Sequence, residues 1–238
     1  MTIILGGDFM KYDVILFDAD ETLYDFKKAE VEAFRNTMLD FEVNYDEEIH
    51  FNTYKKINTA IWKELEEGKI TQAELKIERF RRFLKHMNMD FDATYFANIF
   101  MGHLANGSYL YDGSEELITF LKNDLKIAIV TNGLSVVQDK RIRKSKIAHL
   151  FDEIIISEEV SISKPDPRIF EHTLNVLNYF DKDRVLMVGD NLTSDILGGI
   201  NFGIDTCWYN PNKLDNHTDI TPTYDISDYE QLKKIVFE

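Results

Sequence analysis

From Asp112 onward, apolar runs of strand length alternate with amphipathic runs of helix length, and this alternation leaves few folds open. The runs 127–130, 153–156, 185–188 and 206–209 read as strands, because they are short, nearly continuous in apolar residues and rich in β-branched side chains. The segments 113–123, 135–144, 166–177, 193–201 and 231–236 read as helices. Strands that are apolar on both faces and joined by helices predict a parallel sheet covered on both sides. An earlier run, Val14-Ile15-Leu16-Phe17, has the same character and predicts a further buried strand.

Between that first strand and Asp112 the pattern is helical. Ala29, Val31, Phe34 and Met38 suggest one amphipathic helix, and Ile57, Ile61, Trp62 and Leu65 another over about 47–67. Gly68 ends the second. Thr71 then offers an N-cap, with Glu74 three residues on to complete a capping box. Leu75, Phe80, Phe83 and Leu84 mark the next helix, and 92–103 a fourth. No strand pattern interrupts this block, which reads as a small helical bundle inserted after the first strand. Its aromatic residues, Trp62, Phe80 and Phe83 among them, read as bundle core.

The polar residues with chemical potential fall at strand ends. Asp18 and Asp20 follow the first strand, Thr131-Asn132-Gly133 the second, Lys164 lies beyond the third, and Gly189-Asp190-Asn191 closes the fourth. In an open parallel sheet, ligands bind beyond the carboxyl ends of the strands. Residues far apart in sequence therefore converge on one edge: carboxylates, a hydroxyl, an amide and an ammonium. Carboxylates as close as Asp18 and Asp20 repel unless a cation holds them or one keeps its proton. Mg²⁺, a hard cation that prefers oxygen ligands, would satisfy them. Each fragment has a plainer reading in isolation. Asp-x-Asp can simply open a turn, Thr-Asn-Gly is a turn signal, and a lysine before proline is often a solvated loop residue.

Composition narrows the function classes. The 238 residues allow a core domain with a smaller second one, and 44% hydrophobic residues supply a substantial core. A net charge of -15 disfavours a nucleic-acid polymer as partner. The single cysteine, Cys207, permits no intrachain disulfide, fits a cytoplasmic location and sits in an apolar run as a core thiol. The six histidines lack metal-ligand spacing. No apolar stretch reaches the roughly 20 residues of a membrane span. Met10 reads as a second start site, which would leave residues 1–9 as an N-terminal extension.

With these residues in place, the chain resembles the haloacid dehalogenase (HAD) superfamily in its phosphatase branch. Asp18-Ala19-Asp20-Glu21-Thr22 is similar to the first motif of that family, Thr131-Asn132-Gly133 to the second, Lys164-Pro165 to the third, and Gly189-Asp190 with Asp195 to the fourth. The ordered set at successive strand ends carries the resemblance, which extends from Tyr12 over essentially the whole chain. It implies an α/β fold with a Rossmann-like three-layer core over 10–27 and 106–238, and a C1-type helical cap over 28–105. The stretch from Asp190 to Ile196, Gly198-Gly199-Ile200-Asn201 and Cys207-Trp208-Tyr209-Asn210-Pro211 most resemble the 5′-nucleotidase subgroup.

The resemblance also implies roles. Asp18 would be the nucleophile, forming an aspartyl-phosphate, and Asp20 the acid/base. The dehalogenase branch lacks an aspartate two residues after the nucleophile, so Asp20 argues for phosphoryl chemistry. Thr131, the Asn132 and Gly133 amides and Lys164 would hold the phosphoryl group. Mg²⁺ would lie on Asp18, the backbone carbonyl of Asp20, and Asp190. Asp195 would support the metal through its neighbours or simply sit well at a helix N-terminus. Asn191 would contact metal-bound water or substrate. The cap would read the leaving group, with the turn 67–71 as candidate specificity loop. The expected partner is a small phosphorylated metabolite, most plausibly a nucleoside 5′-monophosphate, with oligomeric state open. A phosphosugar phosphatase or mutase shares these motifs. A phospho-accepting signalling domain shares some of them but needs neither Asp20 nor a cap, and a degenerate member that only binds phosphorylated ligands would not need all of them.

Overall fold

The computed structural model of the chain describes residues 10–237, so the expected extension over 1–9 lies outside the described residues. In chain order, β1 (Val14–Phe17) is followed by α1 (Phe26–Asp40), α2 (Asn52–Glu66), α3 (Gln72–His86) and α4 (Ala93–Ala105). Next come α5 (Ser114–Leu121), β2 (Lys126–Thr131), α6 (Ser135–Arg141), β3 (Glu153–Ile156) and a single turn, α7 (Ser157–Val160). The chain closes with α8 (Pro167–Val176), β4 (Val185–Gly189), α9 (Leu197–Phe202), β5 (Asp205–Tyr209), β6 (Tyr224–Ile226) and α10 (Tyr229–Val236). Two compact units result. One is helical, Phe26–Tyr109 with Val136–Arg141; the other holds the remaining described residues and the sheet.

The described strands form one parallel sheet in the order β3-β2-β1-β4-β5-β6. Its burial follows the two-residue period of a strand. Ile15, Phe17, Ile127, Ile129, Leu186 and Val188 pack into one apolar layer, and Val14, Leu16, Ala128, Val130, Val185 and Met187 into the other. Each of these buried side chains larger than alanine contributes roughly 2 kcal/mol of transfer free energy. Cys207 belongs to the first layer, and burial pushes its thiol well above the ordinary range, so it is a core residue. The α/β class with a parallel sheet covered by helices holds as expected.

Strand order reverses at β1: β2 and β3 extend the sheet to one side, β4, β5 and β6 to the other. The crevice between β1 and β4 is therefore the topological switch point, where open α/β sheets place ligands. Register does the rest. Phe17 is level with Ile129 and Val188, so the residues just past these three positions emerge together at one edge.

Local sequence explains the helical unit. Thr71 and Glu74 make the reciprocal capping box at the start of α3, and Asp92 caps α4 through the Tyr95 N–H at 2.6 Å. Phe34, Tyr54, Phe80, Phe83, Phe96 and Phe100 are fully buried and pack ring against ring; Trp62 is only half-buried.

Three elements differ from expectation. The helix over 47–67 opens with a π-helical turn, Glu47–Phe51, where Asp46 caps the Ile49 N–H and its own N–H donates to His50 Nδ1. The helix over 193–201 likewise opens with a π-helical turn, Leu192–Ile196. Strand β6 went unseen: a three-residue segment with only Ile226 buried presents no readable period. Among the described residues no helix is long and apolar enough to cross a membrane.

Candidate active site

Asp18 is the first residue past β1, and its N–H donates to Val188 O at 2.8 Å, which pins it against β4. Gly189 ends β4, and Asp190 follows. The absence of a side chain at Gly189 is a packing requirement: a Cβ there would lie 2.3 Å from Asp195 Oδ2. Asp195 reaches that place from the π-helical turn, whose wider winding is frequent at functional sites. The carboxylates of Asp18, Asp190 and Asp195 consequently each offer an oxygen within 4.8 Å of the others.

Lys164 lies against this group, only 4% exposed. Its Nζ donates to Asp18 Oδ1 at 2.6 Å, to Val130 O at 2.5 Å and to Asp195 Oδ1 at 2.8 Å. An ammonium has three N–H donors, and all three are engaged. A direct contact from Lys164 to a phosphoryl oxygen, expected from the sequence, therefore requires one of these bonds to be given up. Asp195 is equally committed: Oδ1 also accepts from Ser194 Oγ at 3.1 Å, and Oδ2 from the Asn191 N–H at 3.0 Å.

Three carboxylates face one ammonium, and the acidities of Asp18 and Asp190 show the imbalance. Burial pushes the Asp18 carboxyl up; Lys164 opposes the rise, while Asp195 and Asp20 add to it. Burial pushes Asp190 up to about 9, and Asp18, Asp195 and Glu21 reinforce the shift. Burial also works against the charge of Lys164, but Asp18 and Asp195 outweigh it and hold the ammonium above its ordinary range. Groups of this kind become comfortable as anions when a further cation joins them. Oxygen donors of this density fit a hard divalent ion such as Mg²⁺.

The other expected site residues are placed as follows. Asp20 is half-buried beside the cluster and contributes negative charge to Asp18, but its carboxylate is not part of the three-carboxylate group. Thr131 is 1% exposed at the end of β2, and its Oγ1 accepts from the Gly133 N–H at 3.1 Å. The side chain of Asn132 is engaged by Lys164: Nδ2 donates to Lys164 O, and Oδ1 accepts from Lys164 N–H, both at 2.9 Å. The Asn191 side-chain oxygen caps the following turn, accepting from Thr193 N–H at 2.9 Å and Ser194 N–H at 3.0 Å. That local capping, typical of Asn-x-Thr-Ser geometry, occupies the side-chain oxygen.

Further residues join the site that the sequence reading passed over. Glu21 has a left-handed backbone, φ 62°, and its carboxylate accepts from Tyr111 OH at 3.0 Å while adding negative charge near Asp190. The Trp208 indole N–H donates to Asp190 O at 2.8 Å and so fixes the loop after β4. A buried indole N–H needs an acceptor, which is the signal that Trp208 at the end of β5 carries.

A model of the haloacid dehalogenase-like hydrolase family matches residues 12–203. The chain belongs to that family. Among relatives of this hydrolase, pyrimidine 5′-nucleotidase PynA of Streptococcus pneumoniae is 37% identical over 224 residues, covering 94% of each chain. Pyrimidine 5′-nucleotidase YjjG of Escherichia coli is 35% identical over 227 residues, covering 95% of this chain and 99% of its own. The magnesium-bound crystal structure of the HAD-hydrolase YfnB from Bacillus subtilis superposes with a TM-score of 0.89 at 36% identity, covering 95% of this chain and 99% of that one. The HAD-type hydrolase described here is thus an enzyme, and its relatives PynA and YjjG are 5′-nucleotidases by name.

Proposed function

We propose that this hydrolase removes phosphate from small phosphomonoesters in a Mg²⁺-dependent reaction, with nucleoside 5′-monophosphates, pyrimidine ones foremost, as substrates. The observation that carries the reading is the three-carboxylate cluster with the buried Lys164 at the switch point of the sheet. The pyrimidine preference rests on what the names of PynA and YjjG say of those proteins.

In the proposed chemistry, a carboxylate oxygen of Asp18 attacks phosphorus and the bond to the leaving oxygen breaks. Asp20 gives its proton to that alkoxide. Asp20 then takes a proton from water, the water oxygen attacks phosphorus, and the bond to Asp18 breaks to release inorganic phosphate. Lys164 holds Asp18 in place and offsets its charge, which lowers repulsion toward a dianionic phosphate. Thr131 Oγ1 and the N–H groups of Asn132 and Gly133 supply hydrogen bonds to phosphoryl oxygens. Asp18, the carbonyl of Asp20, and Asp190 would hold the Mg²⁺, which supplies positive charge against those oxygens when bound. Asp195, whose two oxygens are already bonded, supports this set by holding Lys164 and the Asn191 N–H. The proposed organisation is a catalytic core over 10–27 and 106–238 and an inserted cap over 28–105 that selects the leaving group, in a protein located in the cytoplasm.

Phosphate release with Mg²⁺ from a panel of nucleoside monophosphates, phosphosugars and simple phosphoesters tests the reading. Preferred turnover of pyrimidine nucleoside monophosphates is expected. Preference for phosphosugars would replace the substrate, and transfer of the phosphoryl group to a sugar would make the enzyme a mutase. No release from any of them would overturn the reading.

A further inference from the structure

The end of β2 grips Lys164 at both of its ends. The carbonyl of Val130 receives one N–H of the ammonium at 2.5 Å. Two residues later the Asn132 amide brackets the Lys164 peptide, donating to its carbonyl and accepting from its N–H at 2.9 Å each. The orientation of the Asn132 amide follows from its partners, because a backbone N–H can only donate and a carbonyl only accept. Thr131, between the two gripping residues, has its hydroxyl oxygen on the Gly133 N–H instead. Lys164 itself lies in the loop between α7 and α8 and precedes a proline, so it has no ladder partner that would hold it in place.

A lysine side chain has four rotatable bonds and wanders unless both its ends are held. Here the backbone end is held by Asn132, and the ammonium end lands on Asp18, Asp195 and Val130 together. We propose that the side chain of Asn132 is a positioning residue for the hydrolytic reaction, acting through Lys164 by clamping its peptide so that the ammonium meets Asp18. This differs from the role expected of Asn132 from sequence, a backbone N–H contact to phosphate, which the loss of its side chain leaves intact. The inference rests on the proposed phosphatase reading only for its kinetic test.

The test is a double-mutant cycle with Lys164, read on phosphate release, together with the crystal structure of Asn132→Ala. Asn132→Ala lowers kcat by about 10- to 100-fold with KM within about 2-fold, because misplacement of a group by about an ångström has an effect of this size. Lys164→Ala lowers kcat by about 10²- to 10³-fold, as loss of one electrostatic contact does. Adding Asn132→Ala to Lys164→Ala then changes kcat by less than about 3-fold, since the two act as one unit. The crystal structure of Asn132→Ala shows Nζ moved off Asp18. If the alanine variant does not fold, Asn132→Asp serves, since it keeps the acceptor for the Lys164 N–H and loses the donor to its carbonyl. Independent, multiplicative losses in the cycle overturn the inference, as does a raised KM at unchanged kcat, or an Nζ unmoved in the variant. If the wild-type enzyme releases phosphate from nothing, the functional reading has failed, and the Nζ position alone decides the role of Asn132.

Discussion

Two buried charged clusters in this enzyme have opposite deficits. In the sheet unit, Asp18, Asp190 and Asp195 surround one ammonium whose three donors are all engaged. In the helical unit, Arg79 is 2% exposed, and its Nε and Nη2 have no hydrogen-bond partner. Its Nη1 donates to Asn58 Oδ1 at 3.4 Å, while Glu30 Oε1 accepts from Asn58 at 2.8 Å and Tyr54 OH at 3.2 Å. The Arg79 guanidinium lies 4.9 Å and 5.3 Å from the Phe80 and Phe100 ring centres, and ring faces partly replace the missing acceptors. The first cluster lacks positive charge and is suited to an added cation. The second lacks acceptors and serves as a tie between α1, α2 and α3. Buried charge marks a reactive site only where the imbalance is one that a ligand can correct.

The largest expected effect separates the clusters by chemistry. Asp18→Asn removes the proposed nucleophile and lowers turnover by about 10⁴-fold or more, as loss of a group on which the whole mechanism depends does. A residual rate within about 10-fold of wild type would erase the distinction. Asp20→Asn takes away the proton donor and acceptor and slows turnover by about 10²-fold or more at unchanged fold stability; steady-state kinetics and thermal denaturation check both halves.

The helical cluster predicts the reverse profile. Glu30→Ala leaves a buried cation without its carboxylate and destabilises the fold by about 3 kcal/mol in urea denaturation. Removing both charges together, Glu30→Gln with Arg79→Met, is near neutral or stabilising. If the double variant destabilises as much as Glu30→Ala, the description of an acceptor-poor tie is wrong.

The smallest effect lies at the opposite end of the sheet. The Arg184 guanidinium holds the Asp13 carboxyl below the ordinary range, against an opposing push from burial and with help from Tyr179. A lowered folded-state pKa means that the stabilisation is complete above the unfolded pKa, about 3.9, and fades as pH falls through the folded value. Asp13→Asn therefore lowers Tm at neutral pH by about 2 °C or less, since the pair is part-exposed and screened. The gap from wild type closes in acid. A gap that widens as pH falls would reverse the sign of this argument.

The sequence carried most of the sheet because its strands are buried on both faces. Runs such as Val14-Ile15-Leu16-Phe17 and Val185-Leu186-Met187-Val188 leave no other reading. The carboxylates were legible as strand-end residues, and register then brings Asp18 and Asp190 together across the switch point. What stayed hidden depends on contacts between distant segments. The Asn132 clamp on Lys164 spans 32 positions and the Trp208 bond to Asp190 spans 18, and neither leaves a periodic trace. The capping bond from Thr193 N–H to Asn191 Oδ1 is local, but it too went unread. The π-helical turns escaped because a capping side chain such as that of Asp46 or Asn191 serves an α-helical and a π-helical turn alike.

The claim that joins these findings is that the carboxylate cluster completes itself with Mg²⁺. Calorimetric titration of Mg²⁺ into the wild-type enzyme and into Asp190→Asn tests it most directly. One site is expected in the wild type, with affinity at least about 10-fold weaker in the variant, since one charged ligand has been removed. Equal affinity in the two proteins, or no binding in the wild type, would contradict the account.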